Sequence, residues 1–345
     1  LISGASYNTI GGSGAGQGNV ISGNTDYGIQ NTTSDHNTFQ GNFIGTNADC
    51  DAAIPNGDDG LSSSTNSGTT VGGPNPGEGN VISGNTEYGM WMVANDNFTL
   101  QGNRIGTDSS GTAKIANGGG GVYISISDTV TIGGTAAGEG NIISGNNGPG
   151  FTFAPIDVAT VYGNMIGTGP MGTETGLGNG GDWSLRLGNV TVTKDVKIGG
   201  LESGQGNVIA EGAADGIIIA IPGHTVEVAG NTVRDHGGHG IVSFSDSLKI
   251  IGNLVYGNGT DGIRFVGTDT TNFIYHNTVH GNGGNGILIG AVDAIIRNNI
   301  VTGNTGYGLR VDSGNVAESN NLVTDDIQNP ANASGRSNEA LDGTD

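Results

Sequence analysis

Cysteine is almost missing from this chain. Its 345 residues contain one, Cys50, so no internal disulfide can hold the fold. Charge is scarce and mostly of one sign. Only 12% of residues are charged, 32 acidic against 11 basic, for a net of -21. So acidic a chain lacks the basic surface that displaces the counterions of a nucleic acid, and a nucleic-acid partner is excluded. Apolar runs are short as well. The longest lies within residues 217–223, far below the roughly 18 consecutive apolar residues of a membrane span. Strong helix formers are few, and so much Gly, Asn and Thr costs a helix several tenths of a kcal/mol per residue. The chain carries no signal peptide, does not begin with Met, and opens in the middle of a repeat at Leu1 and Ile2. The expectation is therefore a piece of a longer or processed chain.

What is abundant is glycine, 69 residues, without the strict three-residue period of collagen. The glycines belong to a repeat. The phrase Gly-Asn-Val-Ile-Ser-Gly-Asn begins at Gly18 and Gly79, and with Ile for Val at Gly140. Ile-Gly-Thr begins at Ile44, Ile105 and Ile166; Ile-Gly-Gly or Val-Gly-Gly begins at Ile10, Val71, Ile132 and Ile198. A finer period lies beneath. From Asn19, Asn80, Asn141, Asn207, Asn231, Asn253, Asn277 and Asn299, a glycine followed by an apolar residue falls nine positions on. From Asn42, Asn103 and Asn164 the offset is 18, reaching Gly60, Gly121 and Asp182. The unit is thus about 22 residues of short alternating strands, with insertions after Ile-Gly-Thr and after Ile-Gly-Gly. No unit can build a core alone, so the units must stack. Residues one and three after the glycine (Met90 with Met92, Phe151 with Phe153, Ile217 with Ile219) are expected to face inward. A second asparagine column, including Asn56, Asn85, Asn117, Asn258 and Asn282, should form a ladder of stacked amides.

This repeat resembles that of the right-handed parallel β-helix proteins, the pectate-lyase-like superfamily. The Ile-Gly-Thr and Ile-Gly-Gly versions are similar to repeats of large secreted bacterial proteins. The resemblance implies a single all-β solenoid of about twelve coils over residues 1–323, with a tail or cap at 324–345. It also implies an extracellular or cell-surface location.

Departures from the repeat mark candidate chemistry. Five of the six histidines, His224, His236, His239, His276 and His280, fall within one stretch. Arg234, Tyr256 and His280 replace Ser or Gly at one position on three consecutive rungs. Glu211 and Asp235 replace glycine in the next column, His236 replaces asparagine, and Asp215, His239 and Asp261 stack just before the glycine. The candidate catalytic set is Arg234, Asp235, His236, His239, Tyr256 and His280. Arg would neutralise a uronate carboxylate and acidify the C5 proton; His or Tyr would take that proton and protonate the leaving oxygen. The superfamily includes lyases and C5-epimerases of this chemistry. No signature of either matches here, and the Asp-Pro-His-type motif of secreted alginate epimerases is absent. A solvated polar face, or a metal held by Asp235, His236 and His239, are the alternatives.

A second candidate is a carbohydrate-binding row of outward positions: Trp91, Tyr123, Arg186, Phe244, Arg264 and Arg310. Aromatic faces and guanidinium groups in line suit sugar rings and their acidic groups; ordinary strand propensity is the alternative. A third is calcium at Asp49, Asp51, Asp58 and Asp59, whose carboxylates are hard oxygen ligands. A solvated acidic loop is the alternative, and no calcium β-roll nonapeptide is present. The functional expectation is a module that presents an extended face to a polysaccharide or surface partner. A lyase or epimerase on an acidic polysaccharide, and a structural stalk of a surface protein, stand beside it. The bases favour the second half. Residues 1–185 hold 15 acids and 2 bases, and residues 186–345 hold 17 and 9.

Overall fold

The computed structural model describes residues 1–154, 156–188, 195–221, 226–245, 247–266, 272–290 and 293–328. His224 and residues 329–345 of the expected tail lie outside them. The described residues form a right-handed parallel β-helix with no helical segment. Each coil contributes one short strand to each of three parallel sheets, of 13, 12 and 12 strands. The first coil shows the order: Ile2–Ser3 in sheet one, Thr9–Gly11 in sheet two, Val20–Ile21 in sheet three, then Ile29–Thr32 back in sheet one above its predecessor. The strand Ile327–Gln328 pairs with Leu309 and Arg310, so sheet one continues past residue 323.

Alternation along each strand sends one side chain in and the next out. The inward set forms one continuous core. Met90, Met92, Phe151, Phe153, Ile217, Ile219, Ile287 and Ile289 are all fully buried, as their place after the glycine predicts. Burial of each such side chain contributes about 1.5–3 kcal/mol.

Two ladders of asparagine hold the turns. Between sheets two and three, a residue in the left-handed conformation precedes most of the rung asparagines, as Gly41 does at φ 64 and Gly102 at φ 69. Only glycine takes that conformation without cost. The asparagine that follows is fully buried and saturates its amide. Asn103 Oδ1 accepts both the backbone N–H and Nδ2 of Asn80, and its own Nδ2 donates to Val71 O and to Asn141 Oδ1. The second ladder, between sheets three and one, repeats the arrangement through Asn56, Asn85, Asn117 and Asn146.

One repeat unit departs from the spacing. Trp183 pairs with Asp215 and Leu185 with Ile217, so Ser184, not Asp182, stands in the glycine column. The third insertion is therefore longer than the first two. Asn179 joins the second ladder, accepting from Asn146.

Asn103→Ala should destabilise the protein by about 2–4 kcal/mol, because two buried donors of Asn80 lose their acceptor. Urea unfolding measures this. An unchanged midpoint would contradict the ladder's structural role.

Candidate functional site

Sheet three does bring Arg234, Tyr256 and His280 onto consecutive rungs, between Ala210 and Thr302. The first of them is not free. Arg234 is buried, with Nη1 donating to Asp235 Oδ2 at 2.6 Å and Nη2 to Gly172 O at 2.8 Å. Glu211 acts nearby, its Oε2 accepting the Gly176 N–H at 2.6 Å. Both residues thus fasten the third insertion to the solenoid body. Glu211 and Asp235 take over positions where glycine is usual, at φ 53 and φ 58, and such left-handed strain costs about 1–2 kcal/mol each. Tyr256 and His280 stack on one another, rings 5.0 Å apart and 2° from parallel.

His236 does not face this group. It is buried in the second asparagine ladder, where its imidazole spans a gap. Gly212, on the preceding coil, has no side chain to contribute. His236 Nδ1 lies 3.0 Å from Asn258 Oδ1, and Nε2 lies 3.2 Å from Ser184 Oγ, two coils back. Asn258 Nδ2 donates to Asn282 Oδ1, so Asn258 Oδ1 is the acceptor and His236 Nδ1 carries the proton. Nε2 then accepts the Ser184 hydroxyl. A Cβ at Gly212 would collide with Ser184 Oγ. Ser184, Gly212 and His236 are thus one coordinated exchange for three regular rungs.

His239 belongs to yet another column, at the start of sheet one. There each side chain accepts the next coil's backbone N–H. Asp215 Oδ1 takes His239 N at 2.7 Å, His239 Nδ1 takes Asp261 N at 3.1 Å, Asp261 Oδ1 takes Asn285 N at 2.8 Å, and Asn285 Oδ1 takes Tyr307 N at 3.0 Å. The row of Asp215, His239 and Asp261 is in this respect a third ladder. His239 Nε2 meets Arg264 Nη1 at 3.1 Å. Burial holds the His239 pKa below the ordinary imidazole range; Asp215 and Asp261 oppose this and the Arg264 guanidinium adds to it. The six residues of the candidate catalytic set therefore divide among three places, and Asp235, His236 and His239 do not converge on one point.

The acids of the calcium reading also divide. Asp49 and Asp51 sit on the exposed first insertion, with Asp51 Oδ1 accepting from Asn47 Nδ2. Asp58 and Asp59 lie at the entry to sheet one. Asp59 Oδ1 accepts the Tyr88 N–H at 2.9 Å, and burial raises its pKa to about 7. Among the described residues, no three His, Cys, Asp or Glu side chains gather as metal ligands.

The outward row of sheet one is continuous. Its register runs Ser62, Trp91, Tyr123, Thr152, Arg186, Ile218, Val242, Arg264, Leu288 and Arg310. From Trp91 to Arg310 this spans roughly 38 Å at ~4.8 Å per rung. Trp91 and Tyr123 stack at 4.0 Å and 12°, and Tyr88 meets both rings edge-on at 5.3 and 6.1 Å. Trp183 Nε1 donates to Thr152 Oγ1 at 3.0 Å, and the Arg186 guanidinium lies 4.6 Å over the Trp183 ring. Farther along, Arg264 joins His239, and Arg310 pairs with Asp312 at 2.7 Å. Phe244 is exposed, on the coil two rungs past Trp183 (~10 Å) and five from Trp91 (~24 Å), and makes no ring contact with the aromatic group among the described residues. Tyr88 and Trp183 complete the cluster although their positions were not singled out in the sequence. Both precede the glycine column, and the longer third insertion hid the place of Trp183.

A family model described as the right-handed β-helix region matches residues 109–327. Three solved structures are similar. The periplasmic alginate epimerase AlgG gives a TM-score of 0.37 at 12% identity, over 86% of this chain and 76% of that one. The A-module of the mannuronan C-5 epimerase AlgE4 of Azotobacter vinelandii gives 0.29 at 12%, over 87% and 88%. PfbA, a surface adhesin of Streptococcus pneumoniae, gives 0.22 at 10%, over 86% and 82%. These are likenesses of fold alone. No curated protein matches the chain.

The His236 reading has a signed pH consequence. Burial pushes its pKa down to about 4, against the pull of the Asn258 hydrogen bond. Unfolded imidazole titrates near 6.5, so between these values the unfolded chain binds more protons and stability rises with pH. Acidification from about pH 6.5 to 4 should therefore cost about 3 kcal/mol at this site. Asp59 acts the other way, gaining stability as pH falls from about 7, so the measurement belongs in an Asp59→Asn background. His236→Asn alone should destabilise by about 1–3 kcal/mol, leaving the Ser184 hydroxyl and a void. The triple change Ser184→Gly, Gly212→Asn, His236→Asn should rebuild the ladder and flatten the acid limb. Equal stability of His236→Asn and the parent would contradict this.

Proposed function

The chain belongs to the right-handed β-helix family, and from that premise we propose that it is an extracellular module binding a polysaccharide along the outer face of sheet one. The observation that carries the proposal is the aromatic group of Tyr88, Trp91, Tyr123 and Trp183 with Arg186, gathered within four consecutive coils.

The stack of Trp91 and Tyr123 uses one face of each ring. The register leaves the other face of Trp91 toward the Ser62 rung and that of Tyr123 toward the Thr152 rung. Ser62 is small and only part-buried, so a pyranose ring has room beside that face of Trp91, with a hydroxyl at hand for its own; on the other side Thr152 is buried and its hydroxyl is bonded to Trp183, which extends the aromatic surface there. Trp183 and Arg186 add an indole and a cation one to two rungs farther on, the pairing that suits a sugar bearing an acidic group. The row continues beyond them along sheet one, a length that suits an extended polymer better than a small ligand. A lyase or epimerase at Arg234 would need that guanidinium free to meet a carboxylate, and its bonds to Asp235 and Gly172 favour the binding reading instead.

Affinity electrophoresis and tryptophan fluorescence titration against a panel of plant and bacterial polysaccharides test this. For the polymer that binds, Trp91→Ala should weaken affinity about 5- to 10-fold, in line with an aromatic contact of about 1–1.5 kcal/mol. Arg234→Ala should leave affinity unchanged. Retained binding in a Trp91→Ala, Trp183→Ala double variant would overturn the proposal.

A further inference from the structure

Sheet three carries a groove that the aromatic face does not use. It has a volume of about 1070 Å³ and is walled by the insertions after Val-Gly-Gly and Ile-Gly-Gly, residues 73–79 and 134–140, with Pro170 on the opposite side. Its floor is the outward row of sheet three, where Arg104, Ile142 and Met165 stand on consecutive rungs.

The electrostatics of this groove invert those of the protein. No carboxylate lines it, in a chain with 32 acids and a net charge of -21. The two nearest acids on its walls are turned back into their own loops. Glu78 Oε2 accepts the Asn75 N–H at 3.0 Å, and Glu139 Oε2 accepts the Ala136 N–H at 2.8 Å. Arg104 is left as the only charged side chain of the lining. Among the described residues it makes no hydrogen bond or ion pair, and its Nε is buried without a partner. The first 185 residues hold just two bases, so an unpaired arginine here is a deliberate exception to the local composition.

We infer that this groove is a second binding site, which takes an anionic group carried on a ring or chain with an apolar face. Arg104 meets the anion with a planar donor fork suited to a carboxylate or sulfate. Met165, part-exposed beside the buried Ile142, meets the apolar body next to it. The site is independent of the aromatic face, because it lies on another sheet and shares no residue with it.

The probes are a pentameric oligogalacturonate, a sulfated oligosaccharide of equal length, and a neutral cello-oligosaccharide, with inorganic phosphate as the free-anion control. Isothermal titration is done on the full chain. The expected result is binding of an anionic oligosaccharide, weakened about 10- to 100-fold in Arg104→Gln, as fits loss of a charge-assisted contact. Ala137→Trp, at an exposed wall position, should block the same binding without lowering the melting temperature. Trp91→Ala should leave it intact, which separates this site from the aromatic face. The carboxylated and sulfated probes distinguish the two sources of charge. Equal affinity of Arg104→Gln and the parent for every anionic probe would overturn the inference, as would neutral and anionic probes binding alike. Binding of phosphate alone would equally overturn it, since the apolar floor would then have no role.

Discussion

The asparagine amide, stacked on itself from coil to coil, is the interaction on which the rest of this structure depends. A parallel solenoid made mostly of strands two to four residues long has many turns and little strand. Each turn buries backbone donors that water cannot reach. One side-chain oxygen that accepts both the next amide's Nδ2 and its backbone N–H, as Asn103 Oδ1 does for Asn80, answers that demand at every rung. The same unit fixes the coil register, because a slip by one residue would take the amide off its column and turn the core outward. The outward rows of all three sheets are aligned from coil to coil as a result of this register.

Because the ladders specify the fold, they were also the legible part of the sequence. The nine-residue offset from asparagine to glycine placed Met90, Phe151 and Ile217 in the core correctly. It failed at one unit, where the third insertion is longer and Ser184 takes the glycine place. Nothing in composition separates a longer loop from a shifted strand, and Trp183 was missed for that reason. The outward row from Trp91 to Arg310 was readable because period two allows only two faces.

The candidate chemistry was less legible, for a physical reason. A residue that breaks a repeat is conspicuous whether it reaches a substrate or repairs the repeat itself. His236 fills the space left by Gly212 and bonds Ser184 two coils away, contacts between residues that are 52 positions apart in the chain. Asp215, His239 and Asp261 look like a catalytic row, yet each accepts a backbone N–H from the following coil. Arg234 ties down an insertion. In each case the side chain's bonds run along the solenoid axis, a direction that sequence spacing does not display. Arg104 is the opposite case. It obeys the repeat and attracted no notice in the sequence, and only the folded groove shows that it has no partner.

The faces of this solenoid present different side chains, and their exposure can be read separately in one experiment. Hydroxyl-radical footprinting with mass spectrometry reports the solvent access of each aromatic side chain with and without a bound polysaccharide. Sheet one carries Tyr88, Trp91, Tyr123 and Trp183, while Tyr162 and Tyr275 project from sheet two. The account predicts protection of the first four on adding the polymer, with Tyr162 and Tyr275 unchanged. Protection of Tyr162 or Tyr275 with Trp91 and Tyr123 still fully reactive would contradict it.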